Sequence, residues 1–312
     1  MIKKSGNRLI KGNFFDDLLK GQLRNLLSIV HQDQTLDLQI RQNQVHIYYR
    51  GGKILDIKPQ GPQDYIFKFD WNYFQDPNNK SIPVIKSILD LSSPDFLVFF
   101  PIAKQAMDTF LSKKKSEERE FQQLVVRTNN YSSLANSTDY FIADIEYAHL
   151  SSRFDLIVIE WKSEATLRKL QGNYKPKLMI IEMKFGDGAL GGKSGLNKHH
   201  QDILSFISNK TLSQNFILEM ENLFMQKIQL GLIPSLRHKK DLIKPIKFDD
   251  HIETGYLIAD HDPASKRLIN ELIILKDEHA KFLTANFTGY GLYKENVFDL
   301  VTFKDRFNLK IS

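Results

Sequence analysis

Three segments in close succession constrain this chain most: DYFIADIEY (139–147), RFDLIVIEW (153–161) and KLMIIEMKF (177–185), each reading as a β-strand. A helical stretch from 104 to about 128 precedes them and another, from about 196 to 231, follows. Helix, three strands and helix predict a mixed α/β (α+β) core with a central sheet flanked by helices. In the third segment, strand alternation puts Met179, Ile181, Met183 and Phe185 on one face and Ile180, Glu182 and Lys184 on the other. Two opposite charges in an otherwise apolar strand cost several kcal/mol each if buried without partners, so they must pair, reach water or coordinate something.

The rest of the chain frames this core. Residues 13–31 place Phe14, Leu18, Leu19, Leu23, Leu26 and Leu27 at helical spacing and predict one amphipathic helix. Between 35 and 72 the period changes to two, with turn residues at Asn43 and Gly51-Gly52, which predicts a small antiparallel meander. The breaker-rich DPNNK and LSSPD set a boundary near 95. The expected organisation is therefore an α+β region over 1–95, its role open, and a second domain over 96–312 with its core at about 104–262. The last third predicts a strand at GYLIADHD, a helix over SKRLINELIIL and strands around KFLTANF and ENVFDLVTF.

With 312 residues, two domains are the natural division. The chain has no cysteine, which excludes disulfides, Cys-ligated zinc, iron–sulfur clusters and thiol catalysis, and fits a reducing cytoplasm. The basic start, MIKKSGNRLIKG, has no apolar h-region after it, and the longest apolar stretch, Phe96 to Ala103, is interrupted by Pro101. These features predict a cytoplasmic protein with no membrane partner. The net charge of +6 permits a polyanionic partner. Within 162–198, eight Lys and Arg face Glu164, Glu182 and Asp187, so a phosphate backbone is expected to approach there, on Lys175, Lys177, Lys193 and Lys198.

Asp155 opens the apolar run LIVI of the second segment, and on a neighbouring strand it stands beside Glu182. Two carboxylates with water and phosphate oxygens make a hard oxygen site suited to Mg²⁺. Asp155 followed by Glu182-x-Lys184 resembles the PD-(D/E)XK nuclease superfamily, over about residues 104–210. Members often carry an acid on the helix before the strands and a Gln on the helix after them. EEREFQQL offers the first, where family spacing favours Glu118, helical geometry favours Glu117, and Glu120 lies at the other margin. GLNKHHQDI offers Gln201. The 27 residues from Asp155 to Glu182 exceed the short hairpin usual in the family, and the excess, WKSEATLRKLQGNYKPK, reads as a polar insertion at a loop tip.

The resemblance implies a restriction-endonuclease-like core and a metal-dependent nuclease acting on nucleic acid, DNA ahead of RNA, in a restriction, defence or repair context. Asp155, Glu182 and Glu118 (or Glu117) would bind Mg²⁺, with Mn²⁺ the alternative ion. Lys184 would orient the attacking water and offset transition-state charge, and Gln201 would hold water or a neighbouring phosphate. Oligomeric state is open, a homodimer included. Glu146, with Ile142 and Asp144 on one face, reads as part of an acidic sheet edge before it reads as a ligand.

Two rival classes remain. The loop GDGALGGKSG follows a strand and precedes a helix, as a P-loop does, and YLIAD ending at Asp260 imitates the acidic strand of an ATPase. The glycine register misses G-x-x-x-x-G-K-[ST] by one, because Asp187 stands where the first glycine belongs. The other rival is a nuclease-like module that binds nucleic acid without cutting it. His199 and His200 are adjacent, about 100° apart on a helix, and are expected to be exposed or to touch phosphate.

Overall fold

The computed structural model describes residues 8–75, 80–91, 94–149, 152–168, 174–190, 195–242, 244–262, 264–286 and 289–307. No helix among them is long and apolar enough to cross a membrane. The chain divides into two compact units, Met1–Arg127 with Gln226–Asp241, and Thr128–Met225 with Leu242–Ser312. The division falls after Arg127, so the boundary expected near 95 lies inside the first unit.

The first unit opens with α1 (Gly12–Leu19) and α2 (Arg24–Gln32). The single helix expected over 13–31 is broken where the Gly21 N–H reaches back five residues to Asp16 O in place of the helical four, and a Cβ at Gly21 would lie 2.1 Å from Asp17 Oδ1. Four antiparallel strands follow in sheet order: β1 (Leu36–Arg41), β2 (Gln44–Tyr49), β3 (Gly52–Gly61) and β4 (Asp64–Lys68). Arg50 and Gly51 take positive φ between β2 and β3, the backbone a tight hairpin needs. Then come α3 (Ile82–Leu89), α4 (Phe96–Lys113) and α5 (Glu117–Asn130), of which the part up to Arg127 belongs to this unit. Asp95 caps α4 by accepting from Leu97 N–H, so the apolar stretch 96–103 is the first half of a helix that ends at Lys113.

Arg50 ties the hairpin to both helices, donating to Asp108 Oδ1 at 2.9 Å and Glu120 Oε1 at 2.8 Å. Gly51 donates its N–H to Gln123, and a Cβ there would meet the Arg119 carbonyl carbon at 2.4 Å. Its φ of +74° adds a conformational penalty for any side chain. Gly51→Ala is therefore expected to destabilise the protein by about 1–3 kcal/mol, read as a lower urea midpoint at unchanged slope.

The second unit is built on a six-stranded mixed sheet. Its elements are β5 (Tyr140–His149), β6 (Ser152–Glu160), α6 (Ala165–Arg168), β7 (Leu178–Phe185), α7 (Leu196–Ser208) and α8 (Lys210–Gln229, in this unit up to Met225). They continue with β8 (Ile252–Ala259), α9 (Lys266–Ile274), β9 (Lys281–Ala285), β10 (Phe298–Asp299) and α10 (Leu300–Asp305). The strand order is β10-β9-β8-β7-β6-β5. β5, β6 and β7 run antiparallel, β7, β8 and β9 run parallel, and β10 returns antiparallel.

Two expectations are corrected here. The helix over 196–231 is two helices, because Asn209 adopts extended backbone and its Oδ1 accepts from Leu212 N–H to start the second. ENVFDLVTF contributes a two-residue strand only, since Asp299 accepts from Thr302 N–H and caps α10. Apolar residues of β8, β9, α7, α9 and α10, among them Ile258, Phe282, Leu196, Leu268, Leu272 and Phe303, pack into one buried cluster. Phe206 on α7 and Phe216 and Phe224 on α8 stack edge-on against Phe154, Tyr147 and Trp161. The central sheet is thus packed on by helices, which is why β7 has no exposed position.

Candidate active site

β6 and β7 pair with Leu156 opposite Ile181, so Asp155, one step further, stands opposite Glu182. Asp155 Oδ2 accepts the Met183 N–H at 2.8 Å, which fixes the carboxylate at the junction of the strands. Lys184 Nζ donates to Glu182 Oε1 at 2.7 Å. Glu182 is 2% exposed and Lys184 4%, and the short charge-assisted bond offsets much of the cost of removing both from water. The two charges that alternation puts on one face therefore form a buried pair, with a third charge across the ladder.

Burial pushes the Asp155 carboxyl above its usual range, although the Met183 N–H and the charges of Lys184 and Arg153 act against that rise. His199 Nδ1, on the first turn of α7, lies 3.2 Å from the same Glu182 oxygen. Burial, then the Lys184 charge, hold the imidazole down to about 4, so at neutral pH it is uncharged. His200 is buried; its Nδ1 is 2.6 Å from Tyr256 OH and its Nε2 3.6 Å from Asp277. Tyr256 pairs in register with Glu182, and its phenol is pushed up by burial and then by the negative charges of Asp277 and Glu182. The start of α7 is anchored by Asn197, whose N–H and amide donate to Glu271 on α9. One histidine thus faces the carboxylate while the other ties the helix to β8.

The remaining expected residues fall elsewhere. Gln201 is exposed, two positions beyond His199 and so about 200° around the helix from it. Lys198 pairs with Asp202. Lys175 and Lys177 precede β7, and Lys177 pairs with Glu253 at 3.1 Å. Seven residues of strand put Lys177 about 23 Å from Lys184, so the insertion after β6 lies at the far end of the strands from the carboxylates. In that insertion Trp161 is buried and Arg168 donates to Lys162 O and Thr138 O, so part of the expected polar loop is structural. Lys193 and the rest of 191–194, on which the P-loop reading depends, lie outside the described residues. Glu117, Glu118 and Glu120 belong to the first unit, where Glu117 and Glu118 are exposed and Glu120 accepts from Arg50.

Glu146 is no solvated edge acid. Its neighbours pair as Ile145 with Leu156 and Tyr147 with Phe154, so it stands across from Asp155 with φ +53°, in an ion pair with Arg153. His199 and His200, expected to be exposed or to touch phosphate, instead lie against Glu182 and Tyr256. The buried series Leu196, His200, Ile203 and Phe206 marks the packed face of α7, and position 199 flanks it while 201 does not.

Among the described residues no group of three or more His, Cys, Asp or Glu is arranged to hold a metal ion. The facing carboxylates of Asp155 and Glu182 still fit Mg²⁺, which characteristically takes one or two carboxylates and completes its shell with water and phosphate oxygens. No protein-family model, curated protein or solved structure matches the chain.

Proposed function

We propose that the second unit is a metal-dependent phosphodiesterase acting on nucleic acid, DNA ahead of RNA, on a restriction-endonuclease-like core of the PD-(D/E)XK type. The observation that carries this reading is the juxtaposition of Asp155, Glu182 and Lys184 across the β6–β7 ladder. Three antiparallel strands leading into a parallel β8, with α7 against the ladder's acid, agree with that core.

Asp155 and Glu182 would hold Mg²⁺ or Mn²⁺, which supplies polarisation of the scissile phosphate and acidification of a bound water. The chain's own residues do the positioning. The Met183 N–H holds Asp155 and Glu182 holds the Lys184 ammonium, so a fixed positive charge meets phosphate oxygens with little reorganisation. Uncharged His199, 3.2 Å from Glu182, flanks the carboxylate on the helix side without adding a competing charge.

The test is incubation of the purified full chain with labelled single- and double-stranded DNA and with RNA, in Mg²⁺, Mn²⁺ or EDTA. Cleavage of at least one substrate with either ion, abolished by EDTA, is expected. Salt-dependent DNA binding with no cleavage under any condition would replace the reading with that of a binding module. Nucleotide turnover sensitive to Lys193→Ala would replace it with an ATPase.

A further inference from the structure

A cavity of about 320 Å³ opens at the carboxyl ends of β8 and β9. Phe185, Ala259 and Ala285 end the three parallel strands in register, so the chain leaves the sheet at one edge through Gly186, Asp260 and Asn286. Crevices beyond the carboxyl ends of parallel strands are where open sheets of this kind take ligands. Lys184 is in register with Ile258, and Ile258 with Thr284, which lines the cavity. Two strand spacings, about 10 Å, therefore separate the cavity wall from the Lys184 position.

The lining has three kinds of surface. Phe307 and His261, both half-buried, offer ring faces, with centroids 6.1 Å apart. Burial and then the Arg306 charge lower the His261 pKa, so its ring is neutral at pH 7. Asp260 and Asn286 supply a carboxylate acceptor and an amide that both donates and accepts. Arg306 supplies an exposed guanidinium, supported 4.6 Å over the Phe298 ring. Asp260 holds φ +47°, a backbone cost of the kind that collects at ligand sites.

A lone phosphate would meet the Asp260 carboxylate and leave the ring faces unused, and a purely apolar ligand would leave Arg306 and Asp260 unused. A planar heteroaromatic ring with polar edges, joined to a phosphate, uses all three. We propose that this cavity is a nucleotide subsite, taking one base and phosphate of the nucleic acid whose backbone is cut beside Lys184. The inference rests on the phosphodiesterase reading for its substrate but has a separate test.

That test is calorimetric titration of the full chain, in EDTA, with dAMP, dCMP, dGMP and dTMP, and with inorganic phosphate and deoxyribose 5-phosphate. At least one mononucleotide is expected to saturate a single site, with the two controls at least tenfold weaker. Phe307→Ala and Asp260→Asn should each weaken it about tenfold, the scale of one lost base stack or edge contact. Asn is the replacement that tolerates positive φ, so Asp260→Asn keeps the fold if Phe307→Ala does not. Gln201→Ala, at an exposed position on α7, should bind nucleotide within about twofold of wild type. Absence of saturation by all four nucleotides would overturn the subsite, as would phosphate binding equally well, or unchanged affinity in both cavity variants. A chain that binds nucleotide at this cavity but cuts nothing overturns the phosphodiesterase reading alone, and one that cuts but binds none of the four overturns the subsite alone.

Discussion

Lys184→Ala should slow metal-dependent cleavage by about 10²–10³-fold, the loss typical of removing one preorganised group that meets developing charge. The ammonium is 4% exposed and held at 2.7 Å by Glu182, so it needs no reorganisation when a phosphate arrives. Asp155→Asn should lose at least as much, because the amide can still accept from Met183 N–H but carries no charge for a cation. The pH dependence has a defined sign. Asp155 must be ionised to hold a cation, and burial raises its pKa in the metal-free chain, so cation affinity, and with it cleavage at subsaturating Mg²⁺, should fall as pH decreases. Stability runs the other way. A carboxyl whose folded pKa lies above its unfolded value favours the fold when protonated, and that contribution is lost as pH rises through the folded pKa. In EDTA at pH 7, Asp155→Asn should therefore melt above wild type, and with Mg²⁺ restored it should fail to cut, as a residue retained for activity at the expense of stability does. Thermal denaturation beside a cleavage assay reads both effects.

The largest stability effect is expected in the first unit. Asp37 and Gln39 on β1 are buried, and the Gln39 amide donates to both Asp37 oxygens, at 3.0 and 2.8 Å. Its Oε1 accepts from Lys227 Nζ at 2.9 Å, and Lys227 is itself fully buried. Asp37→Leu removes the carboxylate that faces this ammonium through Gln39 and strands the amide hydrogens. Breaking a buried charge network from one side costs about 3–5 kcal/mol. Replacing all three together, Asp37→Leu, Gln39→Leu and Lys227→Met, should recover most of that loss, because an apolar set needs no partners. Urea unfolding of the single and triple variants, compared at 25 °C, measures the difference.

The same network shows what strand periodicity misses. Alternation puts Leu36, Leu38 and Ile40 on one face of β1 and Asp37 and Gln39 on the other, and a period of two gives no sign that the polar face is buried as well. Asp37 and Gln39 are buried because a segment nearly 190 residues later returns to the first unit and lays Lys227 against β1, a long-range contact with no local signal. An antiparallel meander and two of its turns were legible, because Asn43 and Gly51 act locally through positive φ. In the candidate site, Glu182 and Lys184 were legible because charge in an apolar strand demands a partner, and Asp155 because it opens the neighbouring strand. Lys175 and Lys177 were grouped with the site by closeness in sequence. Antiparallel pairing instead puts the start of β7 beside the end of β6, far from the residues that follow Glu182. His199 and Gln201 differ by two positions on a helix, a distinction that rests on knowing which face α7 packs.

The central claim is that Asp155 and Glu182 form one cation site beside Lys184. Electron paramagnetic resonance of Mn²⁺ added to the full chain, without nucleic acid, tests it directly. Wild type should bind Mn²⁺ in competition with Mg²⁺. Asp155→Asn and Glu182→Gln should each weaken binding by about tenfold or more, while Gln201→Ala should leave it unchanged. Mn²⁺ binding retained in both carboxylate variants would contradict the account.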